Sequence, residues 1–182
     1  MDIRNILDER DFIDKTVLLR IDSDVEITNG VARSEKRLDA AVESIDYILG
    51  HGGKIILVGH YKRPDKKYQI SEITDPIPKE LKELSLLPVA RWFERKYHGN
   101  VEPTNIGDFP GFQITPKIQM VENIRFYKDE EDNNSEFSKK LAKLADMYVN
   151  EAFAVSHRKH ASVYGVTHFL PSYAGKHFVT EI

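Results

Sequence analysis

Apolar residues along this chain recur at two spacings that alternate. Thr16 to Ile21 (TVLLRI) is a short run with β-branched ends and reads as a strand. The polar stretch after it ends in Asn29-Gly30, a strong turn signal. Leu38, Ala41, Val42, Ile45, Ile48 and Leu49 then recur at helical spacing. Ser34 is placed to cap that helix, and Gly50, Gly52 and Gly53 to stop it. Lys54 to Gly59 (KIILVG) is almost continuously apolar, the pattern of a strand covered on both faces of a parallel sheet. Strand, helix and strand make one βαβ unit, whose crossover is expected to be right-handed.

Residues 61–87 break the pattern. They are rich in Lys, Pro and Glu, and they read as a surface excursion with a short helix near Lys79 to Glu83. Pro88 suits the first turn of a new helix, which Val89, Ala90, Trp92, Phe93 and Tyr97 make amphipathic. A short strand is expected near Asn100 and Val101. Residues 103–117, with three prolines and two glycines, read as a loop. Ile118 to Glu122 reads as a strand, Phe137, Leu141 and Leu144 as a helix face, and Met147 to Val149 as a further strand. A His-rich polar loop follows at 150–162, then a short element at 163–170, and a helix begins within 174–182. The expected fold is α/β, a doubly wound parallel sheet with helices on both faces.

Composition narrows the classes of function. The 182 residues suit one domain, and 41% hydrophobic content can build a core. A formal net charge of −3 gives no global basic footprint, so nucleic acid is not an expected partner. There are no cysteines, which excludes disulfides, thiolate metal sites and cysteine nucleophiles. The charged start MDIRNILDERDF lacks the apolar core of a secretory signal, and no run approaches the ~18 apolar residues of a spanning helix. A cytoplasmic protein with no membrane partner is expected.

In doubly wound sheets, ligands bind in the loops beyond the C-terminal ends of the strands. Those loops hold Asp22 and Asp24 after the first strand, and His60, Lys62 and Arg63 after the second. Arg125 follows IQMVE, and His157, Arg158, Lys159 and His160 follow MYVNE. Arg37 lies near the start of the first long helix. A single surface arginine is ordinarily a solvated charge. Four loops that bring Arg, Lys or His to one sheet edge of an acidic chain point instead to a small, multiply charged anion. Other motifs fail. GHGGK around Gly50 has the wrong glycine spacing for a Walker A loop, and Lys54 is followed by Ile. Zinc at His60, His157 and His160 is opposed by flanking Arg and Lys. DEEDNN (129–134) lacks the Gly and terminal Glu of an EF-hand loop, and it reads as a solvated helix start.

The same residues carry a family resemblance. KTVLLRIDSDVE resembles the opening strand and loop of phosphoglycerate kinases, usually RVDFNVP, and GGKIILVGHYKRP resembles the segment usually written SHLGRP. ENIRFY resembles ENLRF, and ADMYVNEAFAVSHRKHASVYGV resembles ADIYVNDAFGTAHRAHAS. SEKRLDAAVESIDYIL and FLPSYAGKHFVTEI resemble the first helix and the approach to the interdomain helix. The order matches throughout, over nearly the whole chain.

The resemblance implies a 3-phosphoglycerate-binding domain over 1–173, with 61–87 as the surface excursion, and the start of an interdomain hinge helix over 174–182. By resemblance, Asp22, Arg37, His60, Arg63, Arg125 and Arg158 fall on substrate positions, with Asp24, Lys62 and His160 beside them. Arg37 matches the arginine that stabilises the transferring phosphoryl group. MgATP or MgADP belongs to the family's C-terminal domain, which is expected beyond residue 182 and is absent from this chain. Neither a nucleotide cofactor nor a metal is therefore expected on these residues, and the chain alone is expected to be inactive. A separate nucleotide-binding domain is the expected partner, and self-association through the exposed hinge end is expected too. Asp24 stands where the family has Asn, Lys62 and Ala154 where it has Gly, and Glu151 where it has Asp. Those departures keep open an alternative, a non-catalytic relative that binds a small anion or a protein partner.

Overall fold

A computed structural model describes residues 4–33 and 35–182, so the expected Ser34 cap lies outside the described residues. The elements in order are β1 (Thr16–Arg20), β2 (Ile27–Thr28), β3 (Val31–Ala32), α1 (Glu35–Gly50) and β4 (Lys54–Val58). Then come α2 (Leu87–Tyr97), β5 (Glu102–Ile106), β6 (Phe109–Thr115), β7 (Ile118–Val121), α3 (Lys128–Glu131) and α4 (Ser135–Ala142). The chain continues through β8 (Met147–Asn150), β9 (Ser172–Ala174) and α5 (Lys176–Thr180). Seven strands form one sheet in the order β5-β6-β7-β4-β1-β8-β9, and β2 and β3 form a separate hairpin.

Strands β7, β4, β1, β8 and β9 run parallel. Their side chains alternate between two cores, because successive residues of a strand face opposite sides of the sheet. Val17 and Leu19 of β1, with Ile55 and Leu57 of β4, meet Leu38, Ala41, Ile45 and Ile48 of α1 and Phe93 of α2. Leu18, Ile56 and Val58 meet Phe126, Phe137 and Leu141 on the other face. Helices thus cover both faces, as the continuous apolar strands require. Gly52, at φ +88°, turns the chain out of α1 into β4. Among the described residues, no helix is long and apolar enough to cross a membrane.

Three expectations change. Residues 103–117 are not a loop. They form the hairpin of β5 and β6, paired antiparallel, and β6 is antiparallel to β7. The sheet is therefore mixed, with an antiparallel hairpin at one edge in which β6 alone runs against the other strands. The prolines hid this hairpin: Pro103 sits on the edge strand, and Pro110 lies next to Gly111, where a Cβ would overlap the Met120 carbonyl oxygen. The short strand expected near Asn100 and Val101 begins at Glu102 instead.

The second change concerns 61–87. This segment holds short 3-10 turns at Lys66–Tyr68 and Lys79–Leu84. It is more than a surface excursion, because Ile70, Ile73 and Leu81 are buried in the second core. Asn123 fastens it: its Nδ2 donates to the Tyr61 and Leu84 carbonyls, both at 2.8 Å. The buried Glu122 carboxylate accepts from Ser85 Oγ at 2.6 Å and the Leu86 amide at 2.7 Å. Third, the acidic run 129–134 is not all solvated, since Glu130 is buried in the second core's polar seam.

Parallel register aligns the strand ends. Arg20 pairs with Val58 and with Asn150, and Leu57 pairs with Met120, so the loops after β1, β4, β7 and β8 leave from one edge. Asn123 opens the loop after β7. Replacing Asn123 by Ala leaves one buried and one half-buried carbonyl without their donor. It is expected to lower the unfolding free energy by about 2–4 kcal/mol, read as a lower urea midpoint at unchanged m-value.

Candidate functional site

The site is built outward from one buried arginine. Arg20 closes β1 and is almost fully buried. Its Nη1 donates to the Ile21 carbonyl at 2.5 Å, its Nε to Ser162 Oγ at 3.1 Å, and its Nη2 reaches His60 Nδ1 at 2.8 Å. A guanidinium only donates, so His60 Nδ1 is the acceptor and the ring proton sits on Nε2. Burial pushes the Arg20 guanidinium down from its ordinary value, and the Glu130 carboxylate opposes that. Glu130 itself accepts from the Ser162 amide at 2.8 Å and from Ser162 Oγ at 2.6 Å.

Around this network, eight of the nine expected residues line one cavity of about 250 Å³. They are Asp22, Asp24, Arg37, His60, Lys62, Arg63, Arg125 and Arg158, with Ala154 and Val155 completing the wall. His160 is not in the lining. It is nonetheless close enough to Arg125 and Arg158 to feel their charge. Nor are His157 and Lys159, both exposed, brought to the cavity.

The charges differ from a count of Arg, Lys and His. Burial first, then Arg20, Arg125 and Arg158, push His60 down to about 2. Burial and Arg125 push His160 down to about 4, against the pull of Glu131. Both rings are neutral near pH 7, and His60 offers a neutral Nε2–H. The positive charge belongs to Arg37, Lys62, Arg63, Arg125 and Arg158, against the two carboxylates of Asp22 and Asp24. Arg125 is buried, with Nη1 donating to the Lys62 carbonyl at 3.1 Å. The Nε groups of Arg125 and Arg158 are buried and have no hydrogen-bond partner among the described residues. Orphaned buried donors are costly, and anionic groups are the strongest acceptors for guanidinium N–H groups.

A second cavity of about 290 Å³ adjoins the first. Asp22, Arg37 and Ala154 line both, and Lys36, Glu151, Phe153, His177 and Glu181 help to line the second. Arg37 stands between the two, half-exposed. Its Nη1 lies 3.6 Å from Asp22 Oδ2 and donates to the Asp24 carbonyl at 2.8 Å. The sequence reading missed Arg20, Glu130 and Ser162. The available signal was Arg20 itself, a charge inside an otherwise apolar strand.

A family profile described as phosphoglycerate kinase matches residues 7–182. The chain belongs to the phosphoglycerate kinase family. It is similar to the phosphoglycerate kinase of Dictyoglomus turgidum, 40% identical over 189 residues, with 98% of this chain and 44% of that protein covered. That of Wolbachia pipientis wMel is 39% identical over 168 residues, covering 91% of this chain and 40% of the relative. A solved phosphoglycerate kinase from Coxiella burnetii superposes with a TM-score of 0.77 at 26% identity, over 99% of this chain and 43% of that one. One from Pyrococcus horikoshii OT3 shares the fold, with a TM-score of 0.75 over 98% of this chain and 44% of that one. The chain thus spans under half the length of these phosphoglycerate kinases.

The departures from the family strings have unequal consequences. Lys62, in place of Gly, takes φ +55°, a conformation that glycine adopts freely. Ala154, also in place of Gly, does not have positive φ, so the methyl group costs no backbone strain there. Glu151, in place of Asp, is buried. It accepts from Ser44 Oγ and from the Phe178 amide at 2.9 Å, which ties α1 to the start of α5. Burial pushes its carboxyl up from the ordinary value.

The neutral His60 makes stability depend on pH. Its folded value of about 2 lies below the ordinary 6.5, so the unfolded chain takes up the proton first as pH falls. Stability is therefore lost progressively below about pH 6.5. Between about pH 7 and about pH 5, the urea midpoint of the wild type should fall further than that of His60→Gln. Parallel slopes would mean that His60 titrates normally.

Proposed function

We propose that the cavity binds 3-phosphoglycerate and that this chain is the acceptor-substrate half of a phosphoglycerate kinase. The supporting observation is the convergence of five cations on one cavity at the strand ends, two of them arginines whose buried Nε–H groups lack a partner among the described residues. A ligand with a phosphate at one end and a carboxylate at the other matches it. Arginine forks suit both groups. The neutral Nε2–H of His60 adds a donor without adding charge. Asp22 holds Arg37 in place as much as it meets the ligand.

Catalysis in this reading is positioning and charge neutralisation. When MgATP is presented, a carboxylate oxygen of bound 3-phosphoglycerate takes the terminal phosphoryl group and ADP leaves. No proton is exchanged with the protein. Arg37, between the two cavities, stands where the transferring charge would build up. The nucleotide and its Mg²⁺ belong in this reading to a separate domain. The cavity itself does not suit a bare cation, because five cations face two carboxylates. Turnover therefore requires that domain, and the 182 residues alone are inactive.

Calorimetry on the chain should show 3-phosphoglycerate binding at millimolar ligand. Arg63→Ala, an exposed truncation, should weaken it roughly tenfold or more, the worth of one charge-assisted hydrogen bond. No heat at millimolar ligand would remove the substrate assignment.

A second reading is favoured by the strained Lys62 and by the carboxylate of Asp24. It makes the chain a non-catalytic relative that binds a different anion or a protein. Mixing the chain with the separately produced nucleotide half of a phosphoglycerate kinase separates the two. ATP-dependent turnover that appears only in the mixture supports the kinase reading, and silence there supports the second.

A further inference from the structure

Two cavity residues have features that a plain anion cradle does not require. Asp24 is a carboxylate among cations, and among the described residues its side chain makes no close ion pair with any of them. Arg37 bonds its backbone carbonyl instead, at 2.8 Å. The nearest ring nitrogen is His60 Nε2, 3.8 Å from Asp24 Oδ2, and that ring is neutral near pH 7. Asp22, by contrast, has Arg37 at 3.6 Å. The second feature is Lys62, an exposed lysine held at φ +55°. A side chain in that region is strained wherever nothing favours it.

The two features meet in one hydrogen bond. The Lys62 amide donates to Asp24 Oδ1 at 3.0 Å. On its other side, the Lys62 carbonyl accepts from Arg125 Nη1 at 3.1 Å. The left-handed turn is thus clamped between an acid and a base of the same cavity. The Lys62 ammonium lies over the Tyr61 ring, 5.2 Å from its centroid.

We propose that Asp24 and Lys62 are a charge-compensating pair that sets the affinity of the cavity for its anion. The carboxylate holds the turn but repels the ligand. The turn holds at the rim a lysine whose ammonium offsets that repulsion. Each residue accounts for the other. An Asn at 24 would accept the same amide without the charge, and a Gly at 62 would take the same φ without strain or charge. The pair adds one charge of each sign, so the net field on the anion stays near that of a cavity with neither.

This inference rests on the anion-site reading above. The test is a titration cycle of wild type, Asp24→Asn, Lys62→Gly and the double variant, with 3-phosphoglycerate and with inorganic pyrophosphate as titrants. A urea midpoint is measured for each protein. Asp24→Asn should bind about fivefold more tightly, the effect of one exposed charge at ~4 Å in water. Lys62→Gly should bind about fivefold more weakly, with a raised urea midpoint from the relieved turn. The double variant should return to within about twofold of wild type, and both single effects should shrink with added salt. Weaker binding by Asp24→Asn would show that the carboxylate accepts from the ligand, and it overturns the pair. An unchanged affinity in Lys62→Gly overturns it too. If the pattern appears with pyrophosphate while 3-phosphoglycerate gives no heat, the pair stands and the substrate assignment fails. Binding of neither anion overturns both.

Discussion

The structure depends on burying the Arg20 guanidinium at the end of a central strand. Removing such a charge from water costs several kcal/mol unless its donors are satisfied. Here they are satisfied by the Ile21 carbonyl, Ser162 Oγ and His60 Nδ1. The balancing charge is Glu130, and Ser162 stands between the two, bonded to both. Tyr148 Oη closes the seam by donating to the Ser162 carbonyl at 2.9 Å. Strand β1, the loop after β4, helix α3 and the loop after β8 are thereby locked to one another. These elements also carry much of the cavity wall. Core and site are continuous through Arg20.

The cavity bears the mark of this arrangement. Arg20 spends its hydrogen bond on His60, so the imidazole presents Nε2–H and cannot easily take a second proton. The guanidiniums of Arg125 and Arg158 reinforce that. What remains is a field of arginines that repel one another, two of them with buried Nε–H groups left over. Without a ligand, such a cluster is held together against its own charge. An anion bound as proposed above would act as a structural counterion and stabilise the fold by mass action.

Much of this was legible in the sequence, for physical reasons that differ by element. The strands at 16–21 and 54–59 could be read because burial on both faces demands unbroken apolar runs. The helix over 38–49 could be read from its spacing. The hairpin of β5 and β6 could not, because Pro103, Pro110 and Gly111 are loop residues by propensity and strand residues only beside β7. The cavity lining could be predicted, since parallel strands deliver their following loops to one edge. The protonation of His60 and His160 could not, because it follows from burial and neighbours that only the fold supplies. Glu130 was misread for the same reason. An acidic run looks solvated until a buried arginine 110 positions earlier in the chain comes to face it. Sequence proximity carries no information about that pairing.

Binding and transfer are separable on this geometry. Apart from Arg37, in the first turn of α1, the lining residues come from loops that one sheet holds in register. Transfer asks for more. A phosphoryl group in flight needs water excluded and charge met on all sides, and the second cavity opens beside Arg37 with a wall of mixed character. Phe153 meets Phe178 edge to face there, 5.4 Å between centroids, and both α5 and the loop after β8 reach that wall. Glu151 ties the same loop to α5 and α1 through Ser44 and the Phe178 amide. Ala154 and Arg37 line both this wall and the cavity of five cations. The cavity of five cations rests on loops and a helix end held by the sheet, while the adjoining wall is tied to α5 by packed and hydrogen-bonded groups.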